Sequence, residues 1–368
     1  MTAVAWRHGP TVTNRPGLLC APSHGFGGGI ERVSAAVEQA LPGITRLDLY
    51  DARCHARPRE HRLAKMQFAA RAVSTSTRLK PSYVLCLHAG LLPVAALAAR
   101  TARAPLFLFA IGTEVWAPMS AAKRRLVRSC RRVIAISEYT AQWTARRAGI
   151  PRSQLEIVHL PISPALAGLG AVDLDRQPMR RTLLTVSRLV REHRYKGHFE
   201  IVRALPRVLE TCPGAQWVVI GGGDDVPALR ARCVELGVID HVTLSSDVDE
   251  EALGDRYRGA AALVLPSVAD ATSVPPIGEG FGLVYAEAGA FGVPSIASTE
   301  GGGALDFVVH DRTGLLVEPG ASDALARAMV AMLQDTDRRS RLGAHAQALV
   351  RERHLPEHFT AALRRALH

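Results

Sequence analysis

Short apolar runs alternate along this chain with longer stretches whose apolar residues recur at helical spacing. Residues 18–21 form such a run, and residues 30–41 follow with Ile30, Val33, Val37 and Leu41 on one helical face. Further runs stand at 83–87, 106–110 and 133–136. Alternation of this kind predicts a parallel sheet covered on both faces. Residues 165–179 carry no clear period and read as a linker, after which the pattern restarts. Strands are predicted at 182–186, 216–220, 242–244, 263–265 and 295–297, and helices at 199–209 and 226–236. A last helical segment covers 323–367, broken near Pro356. The expectation is an α/β protein of two doubly wound domains facing across a cleft. They cover residues 1–164 and 181–350, joined by a linker at 165–180, with a C-terminal helix over 351–368 crossing back to the first domain. The 368 residues suit two domains of that size.

Composition narrows the class. Aromatic residues make up 5% of the chain, too few for a surface of stacked rings that would hold a glycan or a single-stranded nucleic acid. The six cysteines lie at least twenty residues apart, so no paired zinc or redox motif exists, and they read as small buried hydrophobes in a reducing compartment. The N-terminal segment lacks the apolar core of a secretion signal, and no run of eighteen apolar residues follows. A cytoplasmic protein is expected, with peripheral contact to the inner face of a membrane as an option. The net charge of +11 is unevenly placed: residues 1–168 hold 23 Lys/Arg against 8 Asp/Glu, while residues 169–368 hold 22 against 26. The basic half suits an anionic partner, whether a lipid phosphate, a bilayer or a nucleic acid. Residues 61–80 and 121–132 are its candidate basic amphipathic surfaces. Ordinary surface helices are the competing reading.

Three elements carry chemistry. The first is the loop Gly27-Gly28-Gly29 between a strand and a helix, an arrangement that presents backbone N–H groups to a phosphate. The second is Arg188 after the strand at 182–186, with Lys196 eight positions on; a guanidinium fork and an ammonium together can clamp a diphosphate. The densest is Glu279-Gly280-Phe281-Gly282-Leu283, leading into a helix that carries Glu287. Its glycines permit close approach of backbone to a ligand, and the helix start favours anions. Two glutamates eight positions apart suit two ends of one extended ligand better than a carboxylate pair flanking one bond. Asp247-Val248-Asp249 reads as a turn and helix cap, so no metal site is assigned. His24, His159 and His198 read as loop or surface residues.

Taken together these motifs resemble glycosyltransferase family 4, with its two-Rossmann-domain GT-B fold, over nearly the whole chain. Glu279 and Glu287 match its E-x7-E signature, and Arg188 and Lys196 match the pair that neutralises the donor diphosphate. The resemblance implies that Glu279 lies by the transferred sugar and Glu287 by the ribose. It further implies that His88 lines the sugar site and that Glu114 and Ser137 stand near the cleft. Gly222, Gly223 and the turn 246–248, with Val248, would border the nucleoside. One departure is the segment Val158-His159-Leu160-Pro161-Ile162, where members often carry a Pro-Asn-Gly type turn.

The implied activity is retaining, metal-independent hexosyl transfer with no cofactor, from GDP-mannose or a UDP-sugar to a saccharide or lipid-linked saccharide. A UDP-sugar-dependent transferase acting on a small molecule or glycan is the alternative within the class. A dehydrogenase is disfavoured because GFGGGIE is not a clean G-x-G-x-x-G and leaves Arg188, Lys196 and both glutamates unexplained. A nucleic-acid-binding protein would account for the charge, but no binding motif accompanies it.

Overall fold

The computed structural model describes residues 16–24, 29–51, 61–170, 181–246 and 248–368. Among them, two parallel sheets of six strands form. The first holds β1 (Leu18–His24), β2 (Thr45–Asp51), β3 (Val84–Cys86), β4 (Leu106–Ala110), β5 (Arg132–Ala135) and β6 (Leu155–Ile157), in the order β2-β1-β3-β4-β5-β6. The second holds β7 (Thr182–Val186), β8 (Gln216–Ile220), β9 (Val242–Ser245), β10 (Ala260–Val264), β11 (Ser295–Ser298) and β12 (Gly314–Val317), in the order β12-β11-β10-β7-β8-β9. Helices of the first half are α1 (Gly29–Ala40), α2 (His61–Leu79), α3 (Leu92–Ala102), α4 (Thr113–Trp116), α5 (Ala121–Ser129), α6 (Glu138–Ala148) and α7 (Pro164–Leu169). Those of the second are α8 (His198–Thr211), α9 (Val226–Glu235), α10 (Glu250–Gly259), α11 (Leu283–Ala290), α12 (Ser322–Gln334), α13 (Thr336–Arg353) and α14 (Pro356–Ala366).

Both sheets bury two faces, so their central strands need apolar residues at successive positions. In β1, Leu18 and Cys20 enter the core under α2, α3 and α5, while Leu19 and Ala21 enter the core under α1 and α14. In β7, Leu183 and Leu184 divide in the same way between the second domain's two cores. The three strands that the pattern missed, β2, β6 and β12, all lie at sheet edges. An edge strand has one neighbour and tolerates polar positions such as Arg46 and Asp48. The stretch expected to be a linker begins as helix α7, whose Leu166 packs into the second domain's core; residues 171–180 lie outside the described residues. The last helical segment breaks at Asp335 as well as near Pro356, with the Asp335 side chain capping α13.

Helix α14 packs on the first domain: Phe359, Leu363 and Ala366 join the core containing Val33, Val37 and Ala40, and Arg364 Nε donates to the Ala40 carbonyl at 3.2 Å. No helix among the described residues is long and apolar enough to cross a membrane.

Each sheet reverses its strand order once, between β1 and β3 in the first and between β7 and β10 in the second. Loops leaving the carboxyl ends on either side of such a reversal diverge and open a crevice. The loops after β3, β7 and β10 hold His88, Arg188 with Lys196, and Glu279, and the helix that follows β1 starts at Gly29.

Packing between α11 and α13 depends on Gly343, where an added Cβ would stand 2.0 Å from the Gly292 carbonyl oxygen. Gly343→Ala is expected to lower stability by about 1–3 kcal/mol through overpacking. Gly259→Ala, at a helical position with nothing within 4 Å, should be neutral or slightly stabilising. Thermal unfolding of the two variants checks the contrast, and equal melting temperatures would contradict it.

Candidate active site

The loop after β10 is the centre of the site. Gly282, at φ 75°, makes the left-handed turn that starts α11, and no side chain caps that helix's first N–H groups. Three residues earlier, Glu279 receives a bond from Lys196 Nζ at 2.6 Å, with both side chains 14% exposed. Ser267 Oγ donates to the same Oε1 at 3.4 Å. Burial alone would push the Glu279 carboxyl up, but the Lys196 ammonium and its hydrogen bond, helped by His193 and Ser267, hold it below the ordinary glutamate value. A carboxylate and an ammonium are thus fixed side by side at the carboxyl edge of the second sheet.

Arg188 follows β7 on the same edge. It is exposed and makes no ion pair among the described residues. A neighbouring cation is explained by a partner instead: Arg194 forks onto Asp225 at 2.6 and 2.7 Å, whereas Arg191 bonds Asp224 through its backbone N–H only. Among the described residues Arg188 and Arg191 thus keep guanidinium groups without an ion pair, and Arg188, directly after the strand end, is positioned for an anion.

Gly221 and Gly223, at φ 138° and 151°, lie against the carbonyl oxygens of Ser187 and Leu189, where added Cβ atoms would come within 2.0 and 2.1 Å. These glycines therefore seat the loop that carries Arg188. Gly222 faces Ser246, and Val248 packs beside the second domain's core next to α10, whose cap is Asp249. Asp247 lies outside the described residues.

Glu287 is 1% exposed. Its two oxygens are taken by Tyr257 Oη at 2.8 Å and Arg32 Nη1 at 2.7 Å. Burial and the carboxylate beside it raise the Tyr257 phenol well above its ordinary value, so it stays a donor. Arg32 lies in the first turn of α1, just after Gly29, and reaches across from the first domain. Spacing could not reveal this partner, because 255 residues separate it from Glu287. Leu283 lies nearby, lining with Arg32 and Glu250 a crevice of about 450 Å³ between the domains. Gly27 and Gly28 lie outside the described residues; Gly29 is exposed at the start of α1.

On the first domain's side, His88 follows β3, and its Nδ1 accepts from the Gly90 N–H at 3.0 Å. Burial, opposed by Glu114 and reinforced by Lys123, lowers its pKa, so the ring is neutral with its proton on Nε2. Glu114 accepts from the Ile111 N–H at 2.7 Å and braces the loop after β4. Ser137 caps α6 and donates to the Gly280 carbonyl across the interface at 2.6 Å.

Two family models match this chain, one described as Glycosyl transferases group 1 over residues 172–349 and one as Glycosyltransferase Family 4 over residues 33–166. The chain belongs to glycosyltransferase family 4. A GDP-mannose-dependent alpha-(1-6)-phosphatidylinositol monomannoside mannosyltransferase of Mycobacterium tuberculosis is 36% identical over 45% of this chain and 41% of the relative. The protein of the same description from Mycolicibacterium smegmatis is 30% identical over 63% and 62%. The chain thus spans about half the length of the curated relatives it matches. Among solved structures, a glycosyltransferase from Rickettsia africae aligns with a TM-score of 0.77 at 15% identity, covering 96% and 98% of the two chains. Anabaena HepE in complex with UDP and glucose aligns at 0.72 and 19%, covering 96% and 99%. Both likenesses establish the GT-B fold.

Within that fold, His198 differs from its expected loop or surface placement, while His159 lies in a loop as expected but is partly buried. His198 is buried at the start of α8 because its Nε2 pairs with Ser187 Oγ at 2.6 Å, which locks the loop behind Arg188. His159 stacks on Phe281, with ring centroids 5.8 Å apart, and bonds Asp306 at 3.0 Å. The His24 side chain lies outside the described residues. Phe281 itself is 3% exposed and joins Ile136, Val158 and Leu160 in the first domain's core, so only its backbone can reach a donor.

Burial, with help from Lys196 and His193 and against Asp225 and Glu279, lowers the His198 pKa to about 4. A folded value below the unfolded 6.5 means that stability is full above pH 6.5 and declines as pH falls towards 4. The loss amounts to about 3 kcal/mol for this group. His198→Gln, which keeps a partner for Ser187 but cannot titrate, should flatten the melting-temperature profile in that window. An unchanged slope would remove His198 from the account.

Proposed function

We propose that this family member is a retaining, metal-independent hexosyltransferase. It moves mannose from GDP-mannose to a saccharide or lipid-linked saccharide, with peripheral contact to an anionic membrane. The observation that carries this reading is the buried Lys196–Glu279 pair beside the uncapped start of α11, with the unpaired Arg188 on the same sheet edge. The names of the relatives support the donor and a lipid acceptor.

In the proposed reaction the bond between the sugar C1 and the β-phosphate oxygen breaks, and negative charge grows on the diphosphate. Arg188, Lys196 and the N–H groups at the start of α11 stand where that charge develops, and fixed donors of this kind need no reorganisation as it forms. The acceptor oxygen attacks C1 on the face the diphosphate leaves, and its proton passes to the departing phosphate oxygen. Glu279, held ionised, accepts hydrogen bonds from sugar hydroxyls and favours the cationic character at C1. His88, neutral with Nε2–H, donates to a sugar hydroxyl from the opposite domain. Glu287 receives the ribose hydroxyls.

Calorimetry with GDP, UDP and ADP, with and without EDTA, tests the proposal. GDP is expected to bind most tightly, with no effect of EDTA, and Arg188→Ala should weaken it by roughly ten- to a hundred-fold, the worth of a charge-assisted hydrogen bond. Glu279→Gln should keep most donor affinity and lose at least about a hundred-fold in transfer rate. Preferential UDP binding would replace the donor, and no binding of any nucleotide would overturn the reading.

A further inference from the structure

Charge in the first domain is concentrated on one face. Between residues 61 and 137 there are 13 Lys/Arg and one acidic residue, Glu114. Glu114 is turned inward onto the Ile111 N–H, so it does not offset the charge outside. Helices α2, α3 and α5 carry no acidic residue at all, and all three pack on the same side of the first sheet.

The same face exposes large apolar side chains. Leu63 and Met66 on α2 are 58% and 69% exposed, and Leu97 on α3 is 48% exposed. Between α3 and α5 lies a groove of about 800 Å³. Its floor includes Ala96, Ala99, Pro105, Leu106 and Leu126, and its rim carries Arg100, Arg103, Arg125 and Arg131. Arg100, Arg103 and Arg125 are exposed and form no ion pair among the described residues; Arg131 donates to the His368 carbonyl.

The groove is not part of the candidate active site. It adjoins Leu106 at the start of β4, whereas Ile111 and Glu114 follow that strand's other end, where the cleft opens. An apolar floor under a ring of unpaired guanidinium groups pairs two demands that a soluble phosphate meets only in part. It also lacks the aromatic platforms on which nucleic-acid bases stack. A bilayer surface meets both demands: phosphates for the arginines, acyl chains for Leu97 and the groove floor.

We propose that the α2–α3–α5 face docks on an anionic phospholipid bilayer, with the α3–α5 groove receiving lipid phosphates on Arg100, Arg103 and Arg125. Both α2 and α3 run from the cleft end of the sheet to its far end. Docking this face therefore lays the sheet along the bilayer and opens the cleft at the membrane edge, with the groove as the contact furthest from the transfer centre. The inference rests on the membrane contact named in the proposed function and gives it a site; the donor reading is tested separately, because the donor does not touch this face.

Sedimentation of the full chain with vesicles tests it, comparing phosphatidylcholine alone with mixtures containing phosphatidylglycerol at low salt. Binding is expected only to the anionic vesicles. Arg100→Glu/Arg125→Glu should weaken it at least about ten-fold, since each basic side chain at such a surface contributes near a factor of five to ten. Leu97→Ser, which alters no charge, should weaken it several-fold. Arg230→Glu/Arg256→Glu, the same charge change at exposed positions of the second domain, should leave it within about two-fold. Unaltered thermal unfolding and GDP calorimetry in the Arg100/Arg125 variant would separate lost docking from lost folding or donor binding. Three results would overturn the proposal: no binding to anionic vesicles, equal loss in the second-domain control, or tighter binding of DNA or RNA that the Arg100/Arg125 variant abolishes.

Discussion

The two domains meet backbone to backbone at Gly280, and the site depends on that approach. A Cβ at this position would stand 2.4 Å from the Ile111 carbonyl oxygen, and one at Gly303 would stand 2.0 Å from the Gly280 carbonyl oxygen. Ser137 donates to Gly280 from one side, while the Gly303 N–H donates to the Glu279 carbonyl from the other. The chain bends at Gly280, with Glu279 turned to Lys196 and Phe281 turned into the first domain's core. A larger residue at 280 would part the domains and dislodge both.

Electrostatics then couples the donor site to the first domain. Desolvating an ion pair is costly, and removing one partner of a buried pair is strongly destabilising. Glu287 has one buried partner, Tyr257, and one half-exposed partner, Arg32, which is 55% exposed. Ribose hydroxyls approaching Glu287 would compete with the exposed partner before the buried one. Under the proposed function, donor binding and the position of α1 are therefore linked through one oxygen of Glu287.

How much of this was legible in the sequence followed the range of the interactions. Local devices were readable: apolar runs for central strands, the turn at Gly282 into α11, and the Asp249 cap. Three of the four edge strands were not: β2 and β6 interleave polar residues, and β12 is only four residues long. Glu279 and Lys196 were legible through their resemblance to a family motif. Their pairing, like that of Glu287 with Arg32, was not visible, since nothing in local spacing encodes contacts made by the fold's crossovers. His198 misled for the same reason: a lone histidine in a polar segment looks solvated until a strand-end Ser187 meets it.

The chain passes between the domains at two places that lie side by side. It leaves the first domain near Pro161–Ser163 and returns near His354–Pro356, and the Ile162 N–H donates to the His354 carbonyl at 2.9 Å. Rotation about this shared line moves the cleft edges furthest and the crossings least. The packing there suits such motion. The His354 ring is buried, burial lowers its pKa to about 3, and it packs against His159, Phe281 and Phe307, with centroids 5.4–5.5 Å apart. Ring-on-ring packing of this kind makes contacts that vary gently with angle. Directional bonds cross the interface on that line, at Ile162, and beside it, where the Glu138 N–H and His159 both reach Asp306. Opening would therefore break a few oriented hydrogen bonds and the Arg32–Glu287 pair while the aromatic contacts slide. A ligand that replaces those bonds across the cleft would set the closed state.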